Sequence, residues 1–317
     1  MTTPRPPLKS LDDALAQLLA CATVLAVHQS VSTFDADGRV LAQDLVSALQ
    51  VPALDNSAMD GYAVRCADVL HAQAQLDGVL PVSQRIAAGT EGTVLAPLSA
   101  ARIFTGAPVP PGADAVVMQE DCEVLSQHDG AAVRFKAVPA PGLNIRRAGE
   151  DVTLGAVVLS KGELLTPAAL GLAASIGMNF LPVVRRPRVA LFSTGDELVM
   201  PGDVPPAQMK PGAIYNSNRF FLRALLLRLG CEVSDLGVVP DRLDATVQAL
   251  QGAAHHHDLI LTSGGVSVGE EDHIRPAVQS LGTLDLWQIA IKPGKPFAYG
   301  RVQQAHFIGL PGNPVSS

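Results

Sequence analysis

The sequence predicts a multidomain protein of α/β plus β class. A doubly wound, mostly parallel α/β domain occupies residues 187–317. A β-rich module at 51–147 is inserted into a small helical linker domain made of 1–50 and 148–186. Three observations carry this prediction. After RRPR (185–188), apolar strands alternate with amphipathic helices, the pattern of βαβ units and a sheet covered on both faces. Between residues 51 and 147 the chain breaks into short runs punctuated by Gly and Pro. A helical pattern stands on each side of that stretch, as an insertion requires. The composition agrees: 317 residues, 48% hydrophobic and 17% charged, can build more than one core. Aromatics at 4% and a net charge of −7 argue against stacking platforms and phosphate-backbone binding, so no nucleic-acid partner is expected.

In chain order, Ser10 caps a first helix with Asp13 at its third position. Leu11, Ala14, Leu15, Leu18, Leu19 and Ala22 form its apolar stripe. GYAVR, ARIFTGAPVPPGADAVVMQED and AAVRFKAV are the short runs of the β-rich module. TPAALGLAASIG is a helix capped by Thr166, opened by Pro167 and stopped by Gly177. RVALFST is then a buried strand, and NSNRFFLRALLLRLG a helix capped near Asn216 and ended by Gly230. CEVSDLGVV and DLILTS are strands separated by the helix DATVQALQGAA. The helix IRPAVQSLG and the strands TLDLWQIAI and AHFIGL complete the chain. His255, His256 and His257 fall between a helix and a strand; three successive side chains cannot face one way, so they read as a solvated loop.

In a doubly wound sheet, ligands bind outside the carboxyl ends of the strands. Five polar loops follow strands at that edge: STGDEL, PDR, TSGGVSVGEED, KPGKP and LPGNP. Turns favour Gly, Pro, Asp and Ser in any case, so each alone is ordinary; five together point to one crevice. Gly264, Gly265 and Ser267 offer N–H and hydroxyl donors to an anion. Asp196, Glu197, Asp241, Glu270, Glu271 and Asp272 offer hard oxygen ligands. Carboxylates beside phosphates make sense if Mg²⁺ lies between them. Lys292 and Lys295 add point charges suited to phosphate. Asp272 could equally cap the next helix, and Glu270 and Glu271 could simply be solvated.

Three stretches outside the α/β half stand out. Asp60 precedes Gly61 in a turn-rich segment, and Thr105 sits at a turn stiffened by Pro108, Pro110 and Pro111. Arg146 and Arg147 are followed by Glu150 and Asp151. Ordinary turn chemistry and a surface ion pair remain open alternatives for all of these. Neither a P-loop nor GxGxxG, GxSxG or HExxH is present, which argues against nucleotide-hydrolysing, nicotinamide-dependent, serine-hydrolase and zinc-protease chemistry. Cys21, Cys66, Cys122 and Cys231 lie far apart and outline neither a disulfide nor a zinc framework. The N-terminus lacks an apolar signal region and no stretch is long enough to span a bilayer, so a cytoplasmic protein is expected.

Taken together, DNSAMDGYAVR, FTGAPVPPGADAVVMQED, NIRRAGEDV, ALFSTGDEL, IYNSNR, LTSGGVSVGEED, AIKPGKPFAYG and GLPGNPVS resemble the molybdopterin molybdenumtransferase family, the group of MoeA and the gephyrin E domain. They run in family order from residue 55 to the C-terminus. The resemblance implies a molybdopterin-binding-like α/β domain and insertion of molybdate into adenylylated molybdopterin, with Mg²⁺ as cofactor and AMP released. It implies a homodimer whose cleft combines the α/β domain of one subunit with the β module of the other. The molybdopterin adenylyltransferase and molybdoenzyme chaperones are its implied partners, with no membrane. On that reading Glu197, Asp241 and Asp272 line the metal and molybdate end, and Asp60 joins them in the chemistry. Lys292 and Lys295, with Gly264, Gly265 and Ser267, hold anionic groups, while Asp60, Thr105, Arg146 and Asp151 face the cleft from the other subunit.

Two departures stand against the family pattern. Gln288 occupies a position where many members carry lysine. The family's small C-terminal β domain has no counterpart before Ser317, which implies a shortened α/β domain and a fragment or a short variant. Two other readings stay open on the sequence: the related adenylyltransferase step, and a non-catalytic molybdopterin-binding scaffold.

Overall fold

The structure is a computed structural model that describes residues 8–127, 130–265, 273–292 and 296–317. It contains six α-helices among the described residues: α1 (Leu11–Cys21), α2 (Cys66–Gln75), α3 (Pro167–Ser175), α4 (Asn218–Arg228), α5 (Leu243–Ala254) and α6 (Ile274–Leu281). The chain divides into two compact units, Met1–Gln29 with Val184–Ser317, and Ser30–Val183.

The first unit is built on a six-stranded sheet. Its strands lie in the order Glu232–Val239, Arg188–Thr194, Leu259–Ser263, Ala305–Leu310, Pro296–Val302 and Gly282–Gln288. The first four are mutually parallel. Pro296–Val302 runs antiparallel to both of its neighbours, so five strands share one direction and their carboxyl ends share one edge. The period of two along Arg188–Thr194 sets the layers. Val189 and Leu191 meet Leu222 and Leu226 of α4 on one face. Ala190 and Phe192 meet Leu250 of α5 and Ile274 and Val278 of α6 on the other. The chain leaves Arg188–Thr194 over one face to reach Glu232–Val239, then returns over the other to Leu259–Ser263. The strand order therefore reverses between Arg188–Thr194 and Leu259–Ser263, which is where a doubly wound sheet opens a crevice.

Helix α1 forms where expected, with Ser10 accepting from the Asp13 N–H at 3.1 Å, but its place differs. The sequence reading grouped it with 148–186, whereas Ala14 packs with Ile289 and Tyr299 of the α/β unit. Ala14 is buried and Leu18 and Cys21 are half-buried, while Leu11, Leu15 and Leu19 remain exposed. Arg185 ties the entry to the sheet: its guanidinium donates to Asp258 at 2.6 and 2.5 Å, and Asp258 also accepts from the Arg188 N–H at 2.8 Å. The strand Pro296–Val302 was not expected. Gln303, at φ +54°, turns it into Ala305–Leu310.

The second unit holds a six-stranded sheet ordered Ala115–Met118, Gly61–Val64, Ala100–Ile103, Val79–Ile86, Gly130–Phe135 and Cys122–Gln127. It is antiparallel except where Val79–Ile86 meets Ala100–Ile103. Helix α2, not foreseen in the β-rich module, buries Val69 and Ala72 against Tyr62, Leu80, Val133 and Phe135. A separate core joins 30–50 to 148–183, with Leu41, Leu45, Leu159, Leu165 and Leu181 around Ala169 and Ala173 of α3. Thr166 accepts from the Ala169 N–H and Gly177 stops α3 at φ +83°. Around α3 the segment is made of short paired strands rather than further helices, so a largely helical linker is corrected to a mixed one. Neither unit has, among the described residues, a helix long and apolar enough to cross a membrane.

Candidate active site

At the carboxyl edge of the α/β sheet the backbone packs too closely for side chains. Gly264 adopts φ +98°, and a Cβ there would overlap the Thr194 carbonyl oxygen. Gly265 adopts φ +65°, and a Cβ would lie 2.8 Å from Thr194 Oγ1. The Gly264 N–H donates to Leu310 O at 3.0 Å, so three strand ends meet at this glycine pair. Only residues without a side chain permit this approach. Gly195 does the same for the neighbouring turn: at φ +137° it leaves room for the Glu197 carboxylate, whose Oε1 would stand 2.8 Å from a Cβ. The Asp241 N–H donates to Asp196 Oδ1 at 3.3 Å, drawing the PDR and GDEL loops together.

A cavity of about 400 Å³ opens at this edge, bordered by Glu197, Thr194, Ser263, Asn216, Asn218 and Asn313. Asn218 clamps it: its Nδ2 donates to Ser263 Oγ at 2.6 Å and to Gly312 O at 2.9 Å, joining the head of α4 to two strand ends. Glu197 and Asp241 are thus brought to one edge with Gly264 and Gly265, as expected. Lys292 is exposed at the end of its segment. Ser267, Glu270, Glu271, Asp272 and Lys295 lie outside the described residues, and so does the side chain of Gln288. Among the described residues, no three His, Cys, Asp or Glu side chains cluster as a metal site would require.

In the second unit, the short strand Asn56–Ser57 pairs with Ile145–Arg146. On its other side it receives the Gly106 N–H at Ser57 O, 2.8 Å away. Asp60, Thr105, Arg146 and Asp151 are arranged around this core. Asp60 Oδ1 accepts from the Thr105 N–H at 2.8 Å and from Thr105 Oγ1 at 2.7 Å. Those donors, the backbone one foremost, hold the Asp60 carboxyl below the usual range. Gly61 is required next to it, because a Cβ would collide with Val117 O across the sheet. Arg146 donates to Asp151 at 2.6 and 2.5 Å, and Arg147 to Asp55 at 2.6 Å. The plain ion-pair reading thus describes both arginines in this structure. Arg102, which the sequence did not single out, donates to Gly61 O at 3.1 Å and lies over the Tyr62 and Phe104 rings at 5.2 and 4.7 Å.

Two families match the chain, the first taking in α1 together with the second unit. Residues 9–177 match the family described as "MoeA N-terminal region (domain I and II)", and 190–317 match "Probable molybdopterin binding domain". A molybdopterin molybdenumtransferase of Haemophilus influenzae is 44% identical over 97% of this chain and 74% of its own length. The chain belongs to the molybdopterin molybdenumtransferase family. Another relative named for this activity, from Mycobacterium tuberculosis, is 42% identical over 91% of this chain and 71% of its own length. A molybdopterin biosynthesis MoeA protein of Pyrococcus horikoshii superposes with a TM-score of 0.83 at 31% identity, covering 98% of this chain and 75% of that one.

As a molybdopterin molybdenumtransferase, the chain is an enzyme of molybdenum cofactor biosynthesis. The polar cavity residues of this family member that escaped the sequence reading as site residues include Thr194, Asn216, Asn218, Ser263 and Asn313. Thr194 and Ser263 end apolar strands, and Asn216 reads as a helix cap. The signal that could have marked them is the accumulation of small polar residues at several strand ends of one edge.

Proposed function

We propose that the chain inserts molybdate into the dithiolene of adenylylated molybdopterin with release of AMP, at the carboxyl edge of its α/β unit. The observation that carries this is the glycine pair Gly264–Gly265 packed on Thr194 at the strand-order reversal, with Glu197 held against Gly195 in the loop that follows Thr194. The Gly264 N–H is taken by Leu310 O, so the donor that the pair offers to a phosphate oxygen is the Gly265 N–H. Two Mo–S bonds form as one molybdate oxygen leaves with the two thiol protons as water. The phosphoanhydride takes up one water to yield AMP and the cofactor phosphate, so atoms and charge balance without a redox step.

Glu197 and Asp241 offer the hard oxygen donors that suit Mg²⁺, and the Asp196–Asp241 contact keeps their loops together. Bound there, Mg²⁺ would neutralise and polarise the phosphoanhydride. Asp272 completes this set in the proposal, and Lys292 and Lys295 hold the remaining anionic groups. Asp60, Thr105, Arg146 and Asp151 serve the cleft of a second copy in a homodimer. Because Arg146 and Asp151 neutralise each other, that face meets an anionic substrate with orienting hydrogen bonds more than net charge.

The test is AMP release from adenylylated molybdopterin by the 317-residue chain in the presence of Mg²⁺, with and without molybdate. Molybdate-dependent release is expected, and Asp272→Asn should abolish it. Release that is indifferent to molybdate would refute the proposal.

A further inference from the structure

Arg85 and Arg102 stand opposite each other on neighbouring strands of the second unit, Val79–Ile86 and Ala100–Ile103. Side chains in register on paired strands share a face, and like charges placed this way repel. An ion pair would relieve the repulsion, but neither guanidinium pairs with a carboxylate among the described residues. Arg102 donates to neutral acceptors only, Gly61 O at 3.1 Å and Gln119 Oε1 at 2.6 Å. The Arg85 side chain is exposed and its guanidinium has no hydrogen bond among the described residues. What holds both is the half-buried Phe104 ring, whose centroid lies 4.5 Å from the Arg85 guanidinium carbon and 4.7 Å from that of Arg102. A ring face attracts a cation without cancelling its charge. The fold therefore gathers two positive charges and leaves them uncompensated.

The pair adjoins the Asp60–Thr105 group, because Phe104 directly precedes Thr105. After the Thr105 donors, the charge of Arg102 also holds the Asp60 carboxyl below the usual range. The carboxylates of the adjoining loops are engaged elsewhere: Asp60 accepts from Thr105, and Glu120 accepts from Gln119 Nε2 at 3.2 Å. We infer that Arg85 and Arg102 bind a phosphate group of the substrate, with Phe104 fixing where the two guanidiniums stand. This rests on the proposed function for the ligand and for the cleft that Asp60 and Thr105 serve. Phosphate oxygens accept the unused N–H groups of both arginines in charge-assisted hydrogen bonds, and one bound anion removes the repulsion between them. Molybdate is also a tetrahedral oxyanion, and the test separates the two.

The test is NMR titration of the full chain, following arginine Nε–H resonances, with inorganic phosphate, AMP, adenosine and molybdate at constant ionic strength. Arg85→Gln and Arg102→Lys assign the two resonances. Phosphate and AMP should shift both saturably, and adenosine should shift neither. Arg85→Gln removes no side-chain hydrogen bond seen among the described residues, so it should melt with the wild type. In that variant the Arg102 resonance should need about tenfold more phosphate to saturate, because one of the two charged donors is lost. Its KM for adenylylated molybdopterin should rise with kcat nearly unchanged.

The absence of a saturable shift with phosphate, an equal response to adenosine, or an unchanged phosphate affinity in Arg85→Gln each overturns the assignment. Saturation by molybdate but not by phosphate gives the pair to that oxyanion and overturns the phosphate reading. A KM that stays at the wild-type value while phosphate affinity falls overturns the choice of the substrate's phosphate. Molybdate-dependent AMP release by the wild-type chain, measured separately, shows whether the transferase reading stands when this one fails.

Discussion

Gly264 and Gly202 share φ +98°, but their surroundings differ, so alanine at each separates two costs. A residue with a side chain in this backbone region loses about 1–2 kcal/mol. Gly202 has nothing within 4 Å of a Cβ, so Gly202→Ala should cost only that. At Gly264 the methyl would also overlap Thr194 O and lie 3.2 Å from Thr194 Oγ1. Thr194 ends a central strand held by parallel partners on both sides, so it cannot withdraw freely. Overpacking of this kind adds about 2 kcal/mol, bringing Gly264→Ala to about 3–4 kcal/mol. Trp287 is the chain's only tryptophan and belongs to the sheet of the α/β unit, so its emission reports on that unit. At a urea m-value of about 2 kcal/mol/M, the midpoint should fall by about 1.5–2 M for Gly264→Ala and by about 0.5–1 M for Gly202→Ala. Equal losses would refute the close-approach argument.

The other perturbations reach different parts of the molecule. Asp258→Asn should destabilise the α/β unit by about 2–3 kcal/mol, because the largely buried Arg185 guanidinium loses its carboxylate. The Arg185 hydrogen bonds hold the Asp258 carboxyl below its ordinary value of 3.8. Its contribution is therefore complete above about pH 4 and is lost as pH falls through the lower folded value. The urea midpoints of wild type and variant should accordingly converge in strong acid. Thr105→Val removes the hydroxyl donor to Asp60 while keeping the backbone one, so the Asp60 carboxyl should titrate closer to 3.8 in carbon-detected NMR. Glu197→Gln should lower AMP release at least tenfold with an unchanged melting temperature, since a neutral amide is a poorer ligand for Mg²⁺; a rate near that of the wild type would remove Glu197 from the site.

Much of the α/β unit was legible because its strands are continuous apolar runs and its turns carry Gly and Pro. The missing strand Pro296–Val302 shows where that signal ends: its turn, at Gln303, contains no residue that marks a turn. Helix α2 escaped because only Val69 and Ala72 are buried along it, too narrow a stripe to set a period. The stripe of α1 was visible, but amphipathicity states that a face is covered and not by what. Glu197 and Asp241 were readable as carboxylates in loops at one edge. The same reading took Asn216 for a cap, and its oxygen does cap; that it also borders the cavity emerges only from the fold.

Helix α1 is made first and waits longest. Its packing partners Ile289 and Tyr299 are translated about 280 residues later, which at about 5–20 residues per second is a delay of about 15–55 s. The whole unit Ser30–Val183 leaves the ribosome in that interval and can fold before α1 has a surface to meet. An isolated helix of 11 residues is marginal in water, so α1 spends this time as an unsheltered segment with Ala14, Leu18 and Cys21, the residues later covered, open to chaperones. Slowing translation between Val183 and Ile289 would lengthen that exposure without altering a single contact of the finished protein.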